Sequence, residues 1–105
     1  MSDKIVVLST CGSAEEAASI ARALVERRLA ACVNIVPGVR SVYRWKGAVE
    51  EAGEWLLIVK SSQALFERLE EELRRMHSYE TPEIVALPVA AGSASYLEWL
   101  GAELA

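Results

Sequence analysis

The sequence predicts an α+β fold of the ferredoxin-like type, β-α-β-β-α-β followed by one further helix. Three observations lead there. Apolar residues recur at helical spacing in two separated stretches, and strand-like runs flank them in the order of a split βαβ unit. Two of those runs are joined by a turn at Lys46-Gly47 and the loop that follows it, and together they read as a long, protruding hairpin. The length of 105 residues suits one domain, residues 1–105, built on one core.

Each element has its own signal. Lys4 to Thr10 is a β-branched run, apolar on both faces and closed by Cys11-Gly12-Ser13, as a strand inside a sheet would be. Ser13 with Glu16 three residues on is a capping box, and it opens a helix whose Ala17, Ile20, Ala21, Leu24 and Val25 share a face. From Cys32 to Trp45 the period falls to two, with Val33, Ile35, Val39, Tyr43 and Trp45 on one parity. Pro37-Gly38 interrupts this run and predicts a bulge or bend. Beyond the Lys46-Gly47 turn a loop is expected through Glu50, Glu51 and Gly53, then a strand over Glu54–Lys60.

A second helix is expected over Ser62–Met76, with Leu65, Leu69, Leu73 and Met76 as its apolar stripe. The connection His77-Ser78-Tyr79-Glu80-Thr81-Pro82 follows, and Pro82 forbids continuing the helix. Glu83–Val89 is the last predicted strand, with Pro88 suited to an edge or strand end. Gly92-Ser93 leads into a short helix carrying Tyr96, Leu97, Trp99, Leu100 and Leu104.

Right-handed crossovers place both main helices on one face of such a sheet. Strands apolar on both sides cannot offer the other face to water, so another subunit is expected to cover it. The composition agrees: 52% of residues are hydrophobic and the mean hydropathy is +0.20. Disorder is excluded by the same figures.

Charge and motifs exclude several classes. Eleven Lys and Arg against fifteen Asp and Glu give a net charge of −4, which offers no basic excess for nucleic acid. The apolar run Ile5–Leu8 is far too short for a membrane span or a signal core, so no membrane partner is expected and the location is read as cytoplasmic. Cys11 and Cys32 make no disulfide framework and are read as reduced thiols. Cys11-Gly12-Ser13 lacks the lysine and second glycine of a phosphate-binding loop.

Four separated motifs carry a family resemblance over essentially the whole chain. They are Leu29-Ala30-Ala31-Cys32-Val33-Asn34-Ile35-Val36-Pro37-Gly38, then Ser41-x-Tyr43-x-Trp45, then His77-x-Tyr79-x-x-Pro82-Glu83-Ile84, and Tyr96-Leu97-x-Trp99-Leu100. In this order and spacing the chain resembles the CutA family of divalent-cation tolerance proteins. The resemblance implies a ferredoxin-like fold assembled as a homotrimer, a link to copper and other divalent metal ions, and no established enzymatic activity. By motif position it implies Cys32, His77 and Glu83 as metal ligands. In one respect the chain departs from the pattern: some relatives carry a cysteine at the end of the first strand, where this chain has Ser9.

The residues themselves leave alternatives open. Imidazole and thiolate suit copper and zinc, and carboxylate suits harder ions. His77 is the only histidine, so it is read either as a ligand or as a hydrogen-bonding group of its loop. Cys32 is either a ligand or a small buried hydrophobe. Glu83 is either a ligand or an acceptor for its own loop. Cys11 precedes a helix start, a place that lowers a thiol pKa, and is read as a reactive thiol or a bystander in the turn. No local signature around either cysteine supports a catalytic group, so no enzyme is expected. Two rival readings accompany metal tolerance. One is a PII-like trimeric signalling module with a small effector in an intersubunit cleft lined by Trp45, Tyr79 and Glu83; the other is a trimeric scaffold.

Overall fold

Residues 2–105 are described by the computed structural model, and their elements follow the expected order. They are β1 (Lys4–Cys11), α1 (Ala14–Glu26), β2 (Cys32–Trp45), β3 (Ala48–Ser62), a 3-10 turn (Gln63–Leu65), α2 (Phe66–Met76), β4 (Val85–Pro88) and α3 (Ala94–Ala102). The sheet runs β2-β3-β1-β4 with every neighbouring pair antiparallel, the ferredoxin-like order.

Alternation decides what β1 buries. Ile5, Val7, Ser9 and Cys11 point into the core, while the intervening residues are half-buried on the other face. Against the buried set pack Ile20 and Leu24 of α1, Leu69 and Leu73 of α2, and Leu57 and Val59 of β3. The Ser13 hydroxyl accepts from the Glu16 backbone N–H at 3.1 Å, which caps α1 as its sequence predicts. Ser61 is buried and donates to the Leu29 carbonyl at 2.6 Å. Ser9 is buried as well, yet among the described residues its hydroxyl has no partner. An unpaired buried hydroxyl costs about 1–3 kcal/mol. Ser9→Ala is therefore expected to raise stability by about 1 kcal/mol in urea denaturation, and a loss of stability would show that the hydroxyl is satisfied.

Four expectations are corrected in detail. The first concerns β3, which begins at Ala48 rather than Glu54, so the loop expected through Glu50, Glu51 and Gly53 is strand. Lys46 and Gly47 sit at φ 50° and 83°, the two-residue turn that lets Trp45 pair at once with Ala48. This outer ribbon is exposed on both sides, so its sequence lacks the apolar alternation of a buried strand. Arg40 and Glu51 bridge it at 2.7 Å.

The second correction is the more consequential. Pairing jumps from Val36↔Leu56 to Val39↔Glu54, so β2 carries one extra residue at Pro37-Gly38. A bulge of one residue exchanges the two faces of the strand beyond it. Val33 and Ile35 pair with Val59 and Leu57, whose side chains face the helices, whereas Val39, Ser41, Tyr43 and Trp45 share the face of Glu54. The predicted single parity from Val33 to Trp45 is thus split in two.

The third and fourth corrections are shorter elements. The second helix begins as a 3-10 turn and is α-helical only from Phe66. β4 is confined to Val85–Pro88, its ladder reaching Ile5 to Leu8 of β1, and the Val89 N–H beyond it still donates to the Lys4 carbonyl at 3.0 Å.

α3 lies against the sheet face away from α1 and α2. Leu100 is buried there, and Gly101 lies close to the Lys4 side chain, which belongs to the half-buried parity of β1. It covers only part of that face. Val85, Leu87, Tyr96 and Trp99 stay exposed, as do Val42 and Val49 on the ribbon.

Candidate functional site

The connection after α2 carries the side chains the sequence singled out. His77 leaves the helix with an extended backbone, φ −78° and ψ 140°, and its ring turns in against the end of β1. The residue is 8% exposed. Its Nε2 lies 2.7 Å from the Thr10 carbonyl, which can only accept, so Nε2 carries a proton and donates. Its Nδ1 lies 3.1 Å from the Tyr79 backbone N–H, which can only donate, so Nδ1 offers its lone pair there. Both nitrogens of the neutral imidazole are therefore used by backbone groups.

Cys11 and Glu16 complete a group around this ring, and ligand atoms of Cys11, Glu16 and His77 lie within 4.8 Å of one another. The Cys11 sulfur is 3.9 Å from His77 Nε2. Burial pushes the Cys11 thiol up to about 12, with the Glu16 and Glu54 carboxylates adding to the effect. Burial also raises the Glu16 carboxyl, but hydrogen bonds from Ser78 and Gly12 and the nearby His77 outweigh it and hold the group below its ordinary value. Glu16 accepts the Ser78 backbone N–H at 2.7 Å, tying the connection to α1. A metal needs an imidazole lone pair and prefers a thiolate. This group presents a committed imidazole and a protonated thiol, so as it stands it does not fit an ion. The expectation of a lowered Cys11 pKa is overturned because the side chain is fully buried in the core, where desolvation outweighs the helix terminus.

The other two expected ligands lie elsewhere. Cys32 opens β2 opposite Lys60, half-buried, with its sulfur 3.9 Å from the Lys60 ammonium. Glu83 lies at the end of the connection and is exposed. Neither belongs to the group around His77, which is the one such three-residue cluster among the described residues. Thiol labelling checks the contrast between the cysteines. Native protein is expected to take one label, at Cys32, with Cys11 reacting only after unfolding. Rapid labelling of both would contradict the burial of Cys11.

Glu83 belongs instead to a cleft of about 770 Å³. One wall is the hairpin, with Ser41, Tyr43, Trp45 and Glu54; the other is the connection from Tyr79 to Glu83. The bulge at Pro37-Gly38 makes the first wall, because it turns Tyr43 and Trp45 to the face of Glu54. Glu54 is 7% exposed, and its Oε2 accepts the Tyr79 hydroxyl at 2.7 Å. Burial raises the Tyr79 hydroxyl pKa, and the Glu54 bond adds to it, so the phenol stays a donor. Gly12 allows this approach, since a Cβ there would come within 3.0 Å of the Tyr79 oxygen.

The braced His77 thus places Tyr79, and Tyr79 reaches Glu54 across the cleft. Trp45, Tyr79 and Glu83 line it together, as the effector reading expects, here within one chain. Glu54 and Glu80 were not foreseen as site residues. The one sequence signal for Glu54 is a charge opening the otherwise apolar run Glu54–Val59.

Comparison with known proteins agrees with this architecture. A family model described as CutA1 divalent ion tolerance protein matches residues 5–103. The divalent-cation tolerance protein CutA of Thermus thermophilus is 57% identical over 95 residues, covering 90% of this chain and 92% of that protein. The solved structure of the divalent cation tolerance protein from Thermus thermophilus superposes with a TM-score of 0.95 at 53% identity, covering 97% of this chain and 99% of that one. The crystal structure of CutA from Xylella fastidiosa gives a TM-score of 0.96 at 38% identity, covering 99% and 100%. The chain belongs to the CutA1 divalent ion tolerance family.

Proposed function

We propose that the chain acts in divalent-cation tolerance as a cytoplasmic homotrimer that binds a divalent metal ion and catalyses no reaction. Glu83, with Glu80 beside it, supplies the carboxylates that hold the ion at the mouth of the cleft. The observation that carries this reading is that Glu54, Glu80 and Glu83 all line one cleft to which no Lys, Arg or His contributes. Carboxylate oxygens suit the harder divalent ions, and copper, bound most tightly among the first-row series, is the ion to test first. His77 and Cys32 are left out of the ligand set, because the imidazole is committed and the thiol stands apart.

The trimer is supported by the apolar side chains left in water. Val42 and Val49 on the ribbon are 65% and 66% exposed, and Val85 and Leu87 lie on the edge strand β4. Unpaired edges and apolar patches of this kind are what a subunit interface covers. Light scattering at micromolar concentration is expected to give about three times the 11.5 kDa chain mass. A monomer would remove the trimer.

Calorimetric titration of reduced, metal-free protein with copper tests the ion. Saturable binding near one ion per subunit is expected, weakened at least ~tenfold in Glu83→Gln. Equal binding by that variant would overturn the assignment. The PII-like reading is favoured by a different feature of the same cleft, its aromatic lining of Tyr43, Trp45 and Tyr79, which suits an organic effector better than an ion.

A further inference from the structure

His77 is the chain's only imidazole, and it is held inside the protomer by the end of β1, the start of α1 and the connection. The arrangement therefore does not depend on what lies against the ribbon or the opposite sheet face. The two ring nitrogens do different work. Nε2 donates to the Thr10 carbonyl at 2.7 Å and can do so in either charge state. Nδ1 accepts the Tyr79 backbone N–H at 3.1 Å, and only an unprotonated nitrogen can accept. A proton taken from solvent on Nδ1 sets two donors face to face and leaves the Thr10 bond intact.

Three titratable groups face the ring. From β1, the Cys11 sulfur lies 3.9 Å from Nε2, and burial pushes this thiol up to about 12, so it stays neutral. From the connection, the Tyr79 ring packs on the imidazole at 4.7 Å between centroids, and burial raises its hydroxyl, which stays neutral too. From α1, Glu16 brings a carboxylate oxygen within 4.8 Å of a ring nitrogen. Burial raises its carboxyl, but the Ser78 hydrogen bonds help to outweigh this and hold it below its ordinary value. Between about pH 5 and pH 8 imidazole is the side chain whose charge ordinarily changes, and none of these three neighbours shares that change. Glu16 is ionised throughout the window, so a negative charge stands beside the ring to meet the positive one it gains. Glu54, on β3, reaches the ring only through Tyr79, whose hydroxyl it accepts at 2.7 Å.

We propose that these bonds form an acid-sensitive latch: protonation of His77 on Nδ1 releases the Tyr79 backbone, while Nε2 stays on Thr10 and the imidazolium is met by Glu16. The release passes to the cleft, because the connection from Tyr79 to Glu83 forms one of its walls. The latch acts on that wall whatever the cleft holds, so it stands apart from the ion and effector readings.

Amide hydrogen exchange at Tyr79 in metal-free protein tests it, corrected for the intrinsic pH dependence of exchange and referred to the Leu24 amide inside α1. Protection of Tyr79 is expected to fall at least ~tenfold from about pH 8 to about pH 5, with Leu24 unchanged. His77→Gln supplies an amide donor for Thr10 and an oxygen acceptor for Tyr79, neither of which titrates, so its Tyr79 protection is expected to be flat. Glu16→Gln keeps an acceptor for the Ser78 N–H but removes the charge beside the ring, which is expected to move the transition to lower pH. Flat protection of Tyr79 in the parent protein would overturn the proposal. So would a fall shared with His77→Gln or with Leu24, or a transition that Glu16→Gln leaves in place.

Discussion

Leu69→Asp is expected to leave the protein unfolded. Leu69 is fully buried on α2, among the residues that α1, β1 and β3 bring to the one large core cluster. Truncating such a leucine to alanine costs about 2–5 kcal/mol, a large part of the roughly 5–15 kcal/mol that holds a domain of this size. An aspartate there also places a charge where, among the described residues, no Lys or Arg is buried to meet it. Circular dichroism and gel filtration are expected to show disordered or aggregated material, with Leu69→Ala folded but weakened. A soluble, native Leu69→Asp protein would mean that α2 packs by another face.

His77→Ala is expected to cost about 3 kcal/mol without any ligand present. The substitution removes the donor to the Thr10 carbonyl and the acceptor for the Tyr79 N–H, both part-buried, and a group left unpaired there costs up to about 1–3 kcal/mol. It also removes the ring that Tyr79 packs on, at 4.7 Å between centroids, and so loosens the Tyr79–Glu54 bond across the cleft. Denaturant unfolding reads the loss directly. Glu83→Gln is the control, since Glu83 is exposed and should change stability by less than about 0.5 kcal/mol. A His77→Ala protein as stable as the parent would show that the ring is not a brace.

The fold was legible in the sequence because its elements are marked by local chemistry. Ser13 and Glu16 announced α1, the leucine stripe announced α2, and Pro37-Gly38 announced an interruption of β2. The ribbon beyond Glu54 was not legible, because an exposed two-stranded arm needs no apolar alternation and is fixed by its turn. The site was legible only in part. His77, Tyr79, Trp45 and Glu83 stood out by type, but what each does depends on groups far away in sequence. A lone histidine reads equally as ligand or brace until Thr10 and Tyr79 are found on its nitrogens. Glu54 became a site residue through one extra residue in β2, which turned the aromatic side chains to its face. Periodicity alone cannot show which face follows a bulge.

We propose that His77 braces the connection while the carboxylates of the cleft take the cation. Because His77 is the only histidine, one nitrogen-15 spectrum of its imidazole through a zinc titration tests this most directly. The expected spectrum shows the Nε2–H tautomer at the start and the same ring signals at saturation, with saturation itself lost in Glu83→Gln. A shift of either ring nitrogen in step with bound zinc, retained in Glu83→Gln, would make the imidazole the ligand in place of the cleft carboxylates.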